Sequence, residues 1–165
     1  MTDGIKCSIN SCMKDDIQKW LDDFVTQPNP LLNGFPPCPY ARAAIVDYVE
    51  TDHVSNALED LLKNWSDDVQ VVCLYTTTEN YTPAGLSYIV KEFNKVAMPN
   101  DIVALEDHPD DEEDVNGVKM NFGKCIIILV QRLTKVNEAS ELLRKKGYYD
   151  TWSKENLDDV VNWRE

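Results

Sequence analysis

Basic residues are scarce in this chain, and so are histidines, long apolar runs and catalytic signatures. Lysine and arginine number 16 against 29 aspartates and glutamates, for a formal charge of −13. A nucleic-acid binder normally turns a basic face to the phosphates, and docking on anionic lipid needs the same sign, so the balance argues against both. It favours a solvated acidic surface, a basic protein partner or mimicry of a polyanion. No apolar stretch approaches the roughly 18 residues of a membrane helix; the longest is Cys125–Val130. The opening MTDGIKCSINSCMKDD has no charged segment followed by an apolar one and does not read as a secretory signal. The five cysteines are therefore expected as reduced thiols in a cytoplasmic setting. GxSxG, HExxH and GxGxxG are all missing.

What is present reads as one folded unit. Hydrophobic residues make up 43% of the 165 positions and charged residues 27%, which excludes bulk disorder. Residues 1–14 are expected to be a flexible N-terminal segment and residues 15–165 a single domain, with no repeat or linker inside it. Ile17, Trp20, Leu21, Phe24 and Val25 form an amphipathic helix stripe that Pro28 and Pro30 end. Asp52 is the expected cap of a helix carrying Val54, Leu58, Leu61 and Leu62. Thr82-Pro83 opens another with Leu86, Ile89, Val90 and Phe93 inward, and Gly147 stops a third over residues 137–146. Ser153 caps a last one with Leu157, Val160 and Val161.

Between the helices lie strand signals. VQVVCLYTT (Val69–Thr77) is β-branched and aromatic, Ile102–Leu105 is short, and CIIILVQRL (Cys125–Leu133) reads as the central strand. Residues 45–49 lean towards a strand. The alternation predicts an α+β or α/β domain of two layers with a mixed sheet. Ferredoxin-like topology is the first expectation and a small doubly wound sheet the second.

Two segments hold the candidate chemistry. In NPLLNGFPPCPYAR, Cys38 precedes Pro39, which suits the first position of a short helix, and Arg42 follows one turn later. Unpaired N–H groups and a cation there favour a thiolate, hence a nucleophile, a redox centre or a metal ligand. The alternative is a small residue packed under a rigid loop. The second segment, Glu106 to Asp114, holds seven carboxylates and no lysine or arginine. His108 there is a candidate general base, and Glu106, Asp107 and His108 are a candidate site for a divalent cation such as Mg²⁺ or Ca²⁺. A solvated acidic loop is the plainer reading. NGVKMNFGK (Asn116–Lys124) misses the phosphate-loop spacing, and Cys125 stands where Ser or Thr would hold Mg²⁺, so no nucleotide site is expected. Cys73 and Cys125 read as core residues, and Tyr148–Trp152 as an aromatic staple for the last helix.

Trp20-Leu21, Cys38-Pro39-Tyr40-Ala41 and His108-Pro109, in that order, resemble a group of small bacterial and phage-borne proteins with no established activity. The resemblance runs from Trp20 to Leu133 and implies that Cys38 and His108 belong to one site. The chain departs from it in Asp110–Asp114 and in Ile126–Val130. Two functions follow as expectations. One is an acidic domain that works by binding a protein partner. The other is a thiol- or metal-assisted enzyme with Cys38 as nucleophile, His108 as base and Arg42 as anion anchor.

Overall fold

The structure, a computed structural model, describes residues 9–39, 41 and 44–165, with side chains from Met13 onward. Its strands are β1 (Val46–Glu50), β2 (Val71–Thr76), β3 (Ile102–Asp107), β4 (Asp114–Val115), β5 (Val118–Lys119) and β6 (Ile126–Arg132). Its α-helices are α1 (Ile9–Trp20), α2 (Val54–Lys63), α3 (Pro83–Ala97), α4 (Leu133–Lys145) and α5 (Lys154–Val160). Four strands form one mixed sheet in the order β1-β2-β6-β3. β1 and β2 are parallel, and β6 runs antiparallel to both of its neighbours. This is a single α+β domain. Its succession differs from the β-α-β-β-α-β order of a ferredoxin-like unit, because the first two strands are joined through α2 and lie side by side.

The apolar strands sort their side chains by alternation. Val72 and Leu74 of β2, Ala104 of β3 and Ile126, Ile128 and Val130 of β6 face α2 and α3, where Val54, Leu58, Leu86 and Val90 meet them. The intervening Cys73, Tyr75 and Ile127 face the other way, under Ile17 and Trp20. Helices thus cover both faces of the sheet, one layer more than the alternation pattern suggested. Leu58, Leu74, Leu86, Ile126 and Ile128 are each at most 1% exposed, and burying a side chain of that size contributes about 1.5–3 kcal/mol. A separate cluster forms where α4, α5 and the β4–β5 hairpin meet. Val115, Val118 and Leu143 pack there with Tyr148, Tyr149, Trp152 and Val161.

The termini of the elements carry their own explanations. Thr82 caps α3 by accepting from the Gly85 N–H at 3.1 Å, and Ser153 caps α5 through the Asn156 N–H. At α2 the cap is His53, whose Nδ1 accepts from the Asn56 N–H, and not Asp52. Asn116 and Gly117 (φ 55° and 84°) make the left-handed pair that a two-residue hairpin turn requires. α1 begins at Ile9, inside the stretch expected to be flexible. It then widens into a π-turn over Leu21–Val25, where the Thr26 N–H and hydroxyl both reach the Leu21 carbonyl. α4 starts at Leu133, directly from β6 and four positions ahead of expectation. No helix among the described residues is long and apolar enough to cross a membrane.

Candidate functional site

β3 extends two residues beyond the expected strand, and that extension decides how the acidic segment is arranged. Glu106 pairs in register with Ile128 and Asp107 with Ile127, so alternation sends the two carboxylates to opposite faces of the sheet. Glu106 turns towards α3, where Ser87 hydrogen-bonds it and Lys91 is near; burial nevertheless raises its pKa. Asp107 turns towards the α1 face. Its Oδ2 accepts from the Phe122 N–H at 3.0 Å, while Oδ1 is buried with no hydrogen-bond partner among the described residues. Burial pushes its pKa up to about 6, against the opposing pull of the Phe122 amide.

His108 is 3% exposed, and its two neighbours decide its protonation. The Asp110 N–H can only donate, and it meets Nδ1 at 3.0 Å. The Tyr81 carbonyl can only accept, and it lies 2.7 Å from Nε2. The ring is therefore the neutral Nε2–H tautomer with both nitrogens in use. It serves as a peg between the chain after β3 and the approach to α3. Tyr81 extends the tie, because its hydroxyl accepts from the Val54 N–H and donates to the Asp52 carbonyl. Asn121, 4% exposed, closes the turn: Nδ2 donates to the His108 and Pro109 carbonyls, and Oδ1 is buried without a partner among the described residues.

The cation site expected at Glu106, Asp107 and His108 does not assemble. Two of its carboxylates point apart and the imidazole is occupied. Among the described residues no group of three or more His, Cys, Asp or Glu side chains is placed to hold a metal ion. The acidic residues gather instead around Glu113. Its pKa is pushed up to about 7 by partial loss of solvent and by the charges of Asp107, Asp111, Glu106 and Asp159.

Cys38 belongs to another part of the molecule. It is exposed, its N–H donates to the Val25 carbonyl at 3.0 Å, and the Tyr148 hydroxyl donates to the carbonyl of Pro37 just before it. After Pro39 the described residues show two successive i→i+3 bonds, Ala41 to Cys38 and Ala44 to Ala41, with Ala41 in a 3₁₀ conformation. Arg42 lies outside the described residues, as do Tyr40, Ala43, Cys7 and the side chain of Cys12. Cys73 and Cys125 are buried thiols with pKa values raised to about 12, first by burial, which leaves them protonated and inert.

Two asparagines matter here that sequence reasoning passed over. Asn121 sits in NGVKMNFGK, which reads only as a turn. Asn94 falls eight positions after Leu86, on the apolar stripe of α3; an amide in an inward position was the available signal. Compared with known proteins, the chain matches no family model, no curated protein and no solved structure.

Proposed function

We propose that this chain is a non-enzymatic binding module of the cytoplasm whose acidic surface takes a basic protein partner. The observation that carries this reading is the crowding around Glu113. Glu106, Asp107, Asp111 and Asp159 all raise its pKa, and no neighbouring cation is among the causes acting on it. Carboxylates held in mutual repulsion are relieved by an incoming lysine or arginine, so the partner's charge is rewarded where the chain's own charges conflict. For the thiol-enzyme alternative, His108 is not a free base, since both of its nitrogens are bonded to backbone.

Polylysine is a direct probe. Titrated against the protein at low salt, it is expected to bind with an affinity that falls steeply as salt rises, and to lower the pKa of Glu113 measured by NMR. Absence of binding, or binding indifferent to salt, would sink the proposal.

A further inference from the structure

The sheet has two edges, and they are treated differently. On β3, Ala104 turns its N–H and C=O away from β6, and the side chain of Asn94 answers both. Ala104 N–H donates to Asn94 Oδ1 at 2.9 Å and Asn94 Nδ2 donates to the Ala104 carbonyl at 3.0 Å. Two positions on, the Glu106 carboxylate bonds its own backbone N–H. That edge is closed by side chains that imitate a neighbouring strand.

β1, the opposite edge, has no such cover among the described residues. The ends of its parallel ladder fix which residues face β2: Val71 N–H donates to the Ile45 carbonyl, and Thr51 N–H donates to the Tyr75 carbonyl. In a parallel pair alternate residues bond the same neighbour, so Asp47 and Val49 also face β2. Val46, Tyr48 and Glu50 present their N–H and C=O outward, and no hydrogen bond from the described residues reaches those groups. An open edge of this kind is a template for another strand.

Two clefts flank the same strand on opposite faces of the sheet. On the α2 side, a cleft of about 430 Å³ has Val49, Ala57, Leu61 and Leu74 as an apolar floor and Glu50 and Asp60 at its rim. On the α1 side, a more polar cleft of about 330 Å³ is lined by Gln18, Asp22, Gln27 and Val46 among others. An added strand projects alternate side chains to opposite faces, so one set would enter each cleft. Among the described residues the charge around the edge is acidic, with Asp22, Asp47, Glu50 and Asp60 against Lys14, whose ammonium lies 5.4 Å from the Tyr48 ring centre.

The geometry points to β1 as the docking edge for an extended basic segment of a partner protein, which adds as a fifth strand with alternate side chains in the two clefts. The inference rests on the basic-partner reading above only through its charge argument: β1 lies at the opposite edge of the sheet from β3 and the carboxylates that follow it, and would hold a basic segment there in extended form. Backbone pairing supplies affinity and the clefts supply the choice of side chain.

The test uses a short capped peptide of alternating lysine and valine, and the same peptide with backbone N-methylation along one edge. Saturation with the first should slow amide exchange at Val46, Tyr48 and Glu50 by about tenfold or more. Asp47 and Val49, already bonded to β2, should change little. N-methylation leaves the charge intact and should abolish the protection. V46P removes one outward N–H without touching the β2 ladder and should weaken binding by up to about tenfold, with an unchanged circular dichroism spectrum. Equal binding of the methylated peptide, or perturbations confined to residues 106–114, would overturn the docking edge and leave the basic-partner reading standing. If neither peptide nor polylysine binds, both readings fall.

Discussion

Asp107 holds a charge in a place that disfavours it. One oxygen has the Phe122 amide, the other has no hydrogen-bond partner among the described residues, and Cys73 and Cys125 are close enough to feel its field. Because the folded state raises its pKa from 3.8 to about 6, the folded protein keeps the proton over a range in which the unfolded chain has lost it. The contribution of Asp107 to stability is then fully present below about pH 4 and is lost as pH rises towards 6; that of Glu113 is lost between 4.5 and about 7. D107N keeps an oxygen for the Phe122 amide and removes the charge. It should stabilise the protein at pH 7 by roughly 1–3 kcal/mol and change little at pH 4. Urea unfolding at the two pH values checks this, and destabilisation at pH 7 would contradict the assignment.

At the level of elements, what could be read ahead was what depends on neighbours in sequence. Thr82-Pro83, Ser153 and Gly147 announced helix ends because a cap is bonded within three or four residues. Val71–Thr76 was legible as a strand buried on both faces because its run of apolar side chains leaves neither face polar. Asn94 and Asn121 were not legible as anchors, since their partners at Ala104 and His108 lie 10 and 13 positions away on other elements. That β6 is a central strand was legible in its apolar run, but its neighbours β2 and β3 were not, because no local signal says which strands flank a given one. The carboxylates at 106 and 107 looked like a shared site only while they were taken for a loop. N94L tests the edge assignment. It completes the apolar stripe of α3 but strips Ala104 of both partners. A loss of about 2–4 kcal/mol is expected, together with concentration-dependent association seen by light scattering as β3 becomes a second open edge. A monomeric N94L of unchanged stability would show that Asn94 closes nothing.

For the molecule as a whole, the formal charge of −13 sets a repulsion that its ion pairs offset only in part. Those pairs, such as Arg132 with Asp67 and Arg144 with Glu165, sit at the surface, where each is worth about 0–1 kcal/mol. Going from about 0.01 M to about 1 M salt shortens the Debye length from about 30 Å to about 3 Å. The melting temperature should rise over that interval, as self-repulsion is screened more than the pairs are weakened. A fall would mean that the ion pairs dominate.

The central place of β6 also has a bearing on how the chain acquires its shape. Residues 126–132 find their β2 partners 50 to 60 positions back, and without them β2 and β3 have no contact as strands. A growing polypeptide emerging from the ribosome can pair β1 with β2, but it must carry β3 unpaired until β6 has been made. The sheet closes by insertion, from the middle, as the last strand arrives. Long-range pairing of this kind is slow relative to helix formation, so the nascent chain passes through an interval with apolar strands exposed. In that interval its excess of negative charge keeps neighbouring chains apart.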